Sequence, residues 1–465
     1  MDAGKDFRVR RGYERYFYSV YRPIIYTAQS NDSDVAFARG ELYIEEIWDS
    51  GNFVSTGILL DGYGTPMNPN TYQFNVMEHC RHFVGKSDFL DNSGGGAQYT
   101  AQDECKRFYL RMWAVRYSGV TANALYDDDD GAVDGRTFIG VDCTTHDTQA
   151  YEPNDRHGNI CNLVMGDNGW VLPKNHQLLT EMPPGSFNNP VQTINMDEDQ
   201  DNSLYTLFHL NKNHDKAAVV YMGYKDDTFV GYVSAFPIMT SQYFRIPLHP
   251  RQIEKKLLQW NGAVSNMMVD ASGVLQVDKI AVYIYNYGTI SGLIAKPESY
   301  DYTSGVQSTD VFWFNITEKK NDGHCNKTKF IFKNHLGGYD FFNCYGTISK
   351  SVSVSGQEYD RYNGIASTYI PQQAHNTKML WTSRDDEYSV FSQPLNKEKA
   401  DWLADLVSSS QVWVEEVLKD GQYYNKIRVP IIIEPGTYKL HNTEDSNHFI
   451  QFKYKKSSAR TTQRN

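Results

Sequence analysis

Two clusters of soft ligands lie close together in the first half of the chain. Cys143-Thr144-Thr145-His146 is followed by His157-Gly158-Asn159-Ile160-Cys161, so a Cys-x2-His precedes a His-x3-Cys. Thiolate and imidazole at that spacing suit a tetrahedral zinc ion, which would staple a stretch with little periodicity of its own. Supply argues against it, because 6 Cys and 13 His generate such an order by chance. Zinc on Cys143, His146, His157 and Cys161 is therefore carried as a candidate, and no cofactor is expected. His79, Cys80 and His82 make a poorer set, since immediate neighbours do not readily share one tetrahedral ion.

Carboxylates come next. Asp127, Asp129 and Asp134, near Gly131 and Gly135, resemble a hard-cation loop, as do Asp197, Asp199 and Asp201. Neither has a Glu at the twelfth position of an EF-hand loop, and a solvated acidic turn is the better reading of both. With 56 Asp and Glu, any pair could be chosen for glycoside cleavage, so no pair is informative. There is no Gly-x-Ser-x-Gly elbow, no phosphate loop and no His-Glu-x2-His helix, and Ser93-Gly94-Gly95-Gly96 lacks the lysine of a phosphate cradle. The sequons at Asn315 and Asn326 have meaning only in a secreted protein. The reading is a non-enzyme with no catalytic residues.

The elements that would position these residues are mostly strands. Aromatics make up 14% of the chain, with 33 Tyr, and such side chains fit a pleated, half-buried surface. Thirty-four Gly and 16 Pro scattered along 465 residues suit many turns, and that length implies two or three domains. The expected fold class is mainly β: tandem β-sandwich or β-barrel-like domains with one or two short helices and long irregular insertions.

Formal charge is 45 − 56 = −11, which gives no basic field for a nucleic-acid backbone. Local exceptions are Arg8, Arg10, Arg11, Arg15 and Arg22 near the start and the basic residues of 453–464. No apolar secretory segment opens the sequence and no run of about 18 apolar residues occurs, so neither secretion nor a membrane span is expected. Six Cys in 465 residues is ordinary usage and implies reduced thiols.

Along the chain, residues 1–40 read as an N-terminal arm leading into a strand at Pro23-Ile24-Ile25-Tyr26. Residues 41–215 read as an N-terminal β domain with an insertion at about 120–203, and 216–320 as a middle β segment. Residues 321–455 read as a C-terminal β domain with a helix at 396–408, and 456–465 as a flexible basic tail. Short helices are expected near residues 77–84 and 250–260, a turn at Lys225-Asp226-Asp227, and a short strand at 162–165. The expected helix 396–408 starts at an Asn396 N-cap and places Ala400, Leu403, Leu406 and Val407 on one face. Asp420-Gly421 predicts a hairpin, and Pro430, lacking a ladder donor, predicts an edge position or a bulge in its return strand. The glycines of Leu336-Gly337-Gly338-Tyr339-Asp340 allow positive φ or a close backbone approach after an apolar strand.

This last third resembles a virion protein of tailed phages that infect Bacteroidetes and of related marine phages, including crAss-like phages. The matching residues are Phe332, Asn334, Leu336, Gly337, Gly338, Tyr339, Asp340 and Phe342, then Trp381-Thr382. Ala400, Trp402, Leu403, Leu406, Ser409 and Val412 follow, with Tyr438 and Asn442-Thr443 completing the set. Resemblance is good over 320–455 and looser elsewhere, where Gln73-Phe74-Asn75-Val76 and the segment 197–204 match shorter family motifs. Two departures stand out: His335 replaces a residue that is more often basic, and 120–180 has no counterpart.

The resemblance implies a tail or neck ring structural protein, made in the bacterial host cytoplasm and resident in the virion tail. Its partners would be further copies of itself in a six- or twelve-fold ring, other neck and tail proteins, and DNA only as it passes through the channel, with no membrane. No catalytic residue comes with it. The alternatives are a receptor- or carbohydrate-binding tail module, for which 33 Tyr and 8 Trp would supply stacking faces, and a tail-associated glycosidase.

Overall fold

The computed structural model describes residues 8–11, 17–21, 24–46 (except 31 and 33), 51–84 (except 66 and 67), 105–117, 125–141 (except 136), 178–196 (except 179), 202–207, 217–235, 243–261, 265–287, 305–318 (except 308), 328–360, 377–440 (except 421 and 422) and 447–457. The chain is mainly β, as its aromatic-rich alternation requires. It forms two compact units, Met1–Lys320 with Asn334–Tyr339, and Asn321–Lys333 with Asp340–Asn465. The middle β segment and the N-terminal β domain of the sequence reading both fall in the first.

In the first unit a six-stranded sheet has the order Phe17–Ser19, Phe138–Val141, Cys105–Tyr117, Val35–Glu45, Phe53–Gly62, with Leu125–Asp134 also pairing with Cys105–Tyr117. A four-stranded sheet runs Arg8–Arg11, Ile25–Gln29, Asn68–Asn75, Gly64–Thr65. Alternate residues of the two sheets meet in one core: Tyr26, Ala28, Tyr72 and Phe74 from the second, with Leu42, Phe108, Leu110 and Met112 from the first. The strand to which the expected arm of residues 1–40 leads is Ile25–Gln29, and Arg8–Arg11 of that arm pairs with it. Ile25–Gln29 alternates buried and half-buried positions, so it is an internal strand, and Val20 and Ile24 before it are also buried.

The acidic segment is corrected. Leu125–Asp134 is a strand with a register shift, Asp128 lying opposite Ala114 and Val133 opposite Met112. The residues between them are the surplus of a bulge, so a run that looked like a turn is accommodated inside a ladder. One arginine two strands away reaches it: Arg39 Nη1 lies 3.2 Å from Asp127 Oδ1, while its Nε donates to Asp61 of Phe53–Gly62 at 2.9 Å.

A second six-stranded sheet of this unit has the order Gln192–Asn195, Phe312–Thr317, Lys279–Tyr287, Ala217–Lys225, Thr228–Ala235, with Gly305–Gln307 also pairing with Lys279–Tyr287. The expected turn joins Lys225 to Thr228, with φ of 47° at Asp226 and 59° at Asp227. Positive φ at both central residues is what a tight hairpin between right-twisted strands requires. The helices expected near 77 and 250 are Met77–Arg81 and Pro250–Asn261.

The second unit is one seven-stranded sheet in the order Tyr339–Cys344, Thr328–Lys333, Val412–Asp420, Tyr423–Ile433, Gln451–Lys456, Thr377–Phe391, Thr347–Asp360. The single helix expected over 396–408 is two, Lys397–Trp402 and Ala404–Ser408, interrupted at Leu403. Asn396 caps the first, its side chain accepting from Lys399 N at 3.0 Å, and Ala400, Leu403 and Leu406 are fully buried. Pro430 sits in an internal strand opposite Trp413, not at a sheet edge. The physical reason is local. The neighbouring ladder ends at Ile431 opposite Lys456, so the missing donor falls one rung past it, while the Pro430 carbonyl accepts from Ser457 N at 2.9 Å.

Candidate functional site

The zinc candidates Cys143, His146, His157 and Cys161 lie outside the described residues, as do Asp197, Asp199 and Asp201, the 162–165 strand and residues 458–465 of the basic tail. Among the described residues, no three His, Cys, Asp or Glu side chains converge as a metal site would need. His79, Cys80 and His82 diverge on and just after their helix. Cys80 is fully buried, with its thiol pushed well above the usual range by that burial, while His82 is exposed.

The motif in the last third forms a hydrogen-bonded turn and a buried latch. Asn334 Oδ1 accepts from Leu336 N at 3.1 Å and Gly338 N at 2.9 Å. Its backbone N–H donates to the Gly338 carbonyl at 2.9 Å, and its own carbonyl accepts from Gly337 N at 3.1 Å. Gly337 has φ +88°, the conformation that a side chain strains. Next to it in the first unit, Tyr339 meets Tyr205 edge-on at 5.5 Å and His335 Nε2 lies 3.3 Å from Glu181 Oε1.

The latch belongs to the second unit. Trp402 donates its indole N–H to Asp340 Oδ2 at 2.8 Å, and its ring lies between Phe332, 5.7 Å away, and Phe342, 6.2 Å away. Leu403 and Leu406 complete the buried helix face. The hydrogen bonds of Asn334 and the Trp402–Asp340 pair are made inside the protein, so these side chains fix the local fold.

What the sheet presents outward is different. Gln451–Lys456 is short and runs antiparallel to both neighbours, so the hairpins on either side leave it in the same direction, past Lys456. One carries nine rungs, from Val352 opposite Asp386 to Asp360 opposite Thr377. The other carries six past Val414, from Glu415 opposite Arg428 to Asp420 opposite Tyr423. The expected hairpin at Asp420 is thus one of two arms; its turn residues 421 and 422 lie outside the described residues. Asp420-Gly421 marks one arm's turn in the sequence, but the length of a strand does not reveal where its neighbour stops, so how far either arm projects is not legible there.

At the other end of that strand is an open cleft of about 460 Å³, lined by Phe391, Phe449, Glu434, Tyr438, Gln451 and Lys453 among others. Phe391 and Phe449 stack with centroids 5.1 Å apart and remain 45% and 40% exposed. Lys453 donates to Glu387 at 2.6 Å, which holds the Glu387 carboxyl below its usual range, and the Tyr438 hydroxyl donates to the Glu434 carbonyl. Burial pushes the Tyr438 hydroxyl up. Chemically this is a flat apolar platform with a polar rim. No helix among the described residues is long and apolar enough to cross a membrane. Neither a protein-family model nor a curated protein matches the chain.

Proposed function

We propose that the chain is a virion structural protein of a tailed bacteriophage, a neck or tail ring subunit. It oligomerises, six- or twelve-fold, around the DNA channel and joins portal-side to distal tail components. The observation that carries this reading, beside the resemblance of the last third, is the pair of hairpin arms leaving one end of the second unit's sheet. Among the described residues neither ribbon has a further sheet neighbour, and gripping an adjacent subunit is a use to which such extensions are suited. The acidic balance of −11 fits a channel through which DNA passes without adhering.

Negative-stain imaging of the purified protein tests it. Closed rings of six or twelve copies are the expected result, and a monomer that neither closes into rings nor sediments with virions overturns it.

A second reading rests on the exposed Phe391–Phe449 stack: a carbohydrate- or receptor-binding tail module, in which the rings stack on a sugar face and Gln451 and Lys453 bond its hydroxyls. Glycan binding by the isolated protein, lost in Phe391→Ala and Phe449→Ala, would favour it over the ring.

A further inference from the structure

Thr347–Asp360 is the outermost strand of the seven-stranded sheet, and among the described residues no strand pairs with its outer side. Long open edges invite further strands, and proteins commonly protect them with charge, proline or brevity. This one has 14 residues, and Ser351-Val352-Ser353-Val354-Ser355-Gly356-Gln357 carries no charge and no proline. Val352 is 46% exposed and Val354 64%. The strand at the opposite edge, Tyr339–Cys344, is buried at every position.

The alternation of the ladder tells which backbone groups are open. Ser392 N donates to the Ile450 carbonyl, so Ser392, Val390 and Tyr388 turn their backbone groups toward Gln451–Lys456. Ser389 and Glu387 then turn theirs toward Ser349 and Ser351, and the same parity carries Ser353 and Ser355 inward. The ladder shifts register between Gln357 and Glu358, but the extra residue, Leu380, lies on Thr377–Phe391, so Thr347–Asp360 keeps its own alternation and the outward N–H and C=O groups belong to Lys350, Val352, Val354, Gly356 and Glu358.

We propose that this edge pairs, antiparallel and edge to edge, with the same strand of a second copy of the chain. The argument for a second copy is self-complementarity. With Val354 facing Val354 across a two-fold axis, Val352 falls opposite Gly356, and Lys350 of each copy falls opposite Glu358 of the other. The only two charges on the outward positions from 350 to 358 are thus opposite in sign and meet at both ends of the contact. Five facing pairs of outward residues supply about ten inter-strand hydrogen bonds, and the valines gather on one face of the joined sheet. Within one chain Lys350 pairs with Asp386 of the inner strand Thr377–Phe391 at 2.6 Å, so meeting Glu358 of the second copy requires its flexible side chain to turn from that strand to the open edge. This contact joins copies in pairs and is independent of the cyclic contacts that would close a ring.

A charge-swap series on the full-length protein, followed by light scattering and sedimentation across a concentration series, tests it. Lys350→Glu and Glu358→Lys should each weaken pairing about tenfold, because like charges then face each other at two symmetric places. Lys350→Glu with Glu358→Lys should restore it to within about threefold. That rescue has no explanation inside one chain, since eight residues along a strand separate the two positions by about 26 Å. Val354→Lys, at an exposed position that does not threaten folding, should abolish pairing by setting two lysines on the axis. If rings form by other contacts, the same variants should separate paired rings into single ones. A wild-type chain that never pairs, or a double variant that is not rescued, overturns the proposal. Rings with an undisturbed charge-swap series would sink the edge contact while leaving the ring reading intact.

Discussion

Trp402 and Asp340, 62 residues apart in the chain, are joined by an indole N–H to carboxylate hydrogen bond of 2.8 Å in which both side chains are buried. A carboxylate withdrawn from water is tolerated only where donors replace that water, and a tryptophan N–H supplies one while its ring fills the surrounding apolar space. The bond ties the helix Lys397–Trp402 to the strand Tyr339–Cys344 at the point where the chain has just left the Asn334 turn.

Trp402→Phe keeps most of the ring volume between Phe332 and Phe342 but removes the donor. The expected loss is about 2 kcal/mol, since a charged acceptor is left short of a partner. Asp340→Asn keeps an acceptor at that place and should lose less when paired with Trp402→Phe than the two single losses summed. Urea unfolding followed by circular dichroism, arranged as a double-mutant cycle, checks the coupling; strict additivity would show that the bond contributes nothing specific.

The turn before it makes a second prediction. Gly337→Ala forces a side chain into φ +88° and should destabilise by about 1–2 kcal/mol. Asn334→Ala strips the acceptor from two buried backbone N–H groups and should cost about 2–3 kcal/mol. Asn334→Asp retains that acceptor and should fall between Asn334→Ala and the wild type. The same unfolding measurement ranks them, and equal loss in all three would refute the assigned geometry.

These residues were legible in the sequence because their signals are local. A glycine pair after an apolar strand, an Asn one helical turn ahead of a buried Ala, and valines at every second position each announce a conformation from neighbouring residues. Pairing between distant strands leaves no such mark. The strand near residue 25 is legible by itself, but nothing nearby shows that Ile25–Gln29 is sandwiched by Arg8–Arg11 and Asn68–Asn75. Asp127 read as part of a turn because its arginine partner, Arg39, is 88 residues away. Leu403 interrupts the expected helix although its own apolar periodicity continues straight through it. The Phe391–Phe449 platform depends on the register that sets Phe391 opposite Gln451, which no window along the chain contains.

Burial predicts the behaviour of two thiols. Cys80 and Cys344 are both fully buried, and desolvation raises both thiol pKa values. Because the thiolate is the reactive form, both should resist alkylation in the folded protein at neutral pH and react when it unfolds. Peptide mapping after iodoacetamide treatment, with and without denaturant, reads this directly. Labelling of Cys80 under native conditions at the rate of a free thiol would contradict its place in the core.

Alkaline pH should loosen both units through their buried tyrosines. Burial raises the hydroxyl pKa of Tyr221 well above its usual value in the first unit, and raises those of Tyr72 there and Tyr454 in the second. Each folded-state value lies above the unfolded one, so the neutral phenol is favoured by folding. That stability is fully present below about pH 10, where the unfolded chain still holds its phenolic protons, and it is lost as pH rises from there toward the folded-state values. The denaturant midpoint should therefore be flat across neutral pH and fall progressively above about pH 10. Tyr221 donates its hydroxyl to the Pro247 carbonyl at 3.0 Å, so Tyr221→Phe should lower stability at neutral pH and at the same time flatten the alkaline fall. Unfolding curves at a series of pH values, read with phenolate absorbance, separate the two effects. A midpoint that falls just as steeply in Tyr221→Phe would show that another group governs the alkaline transition.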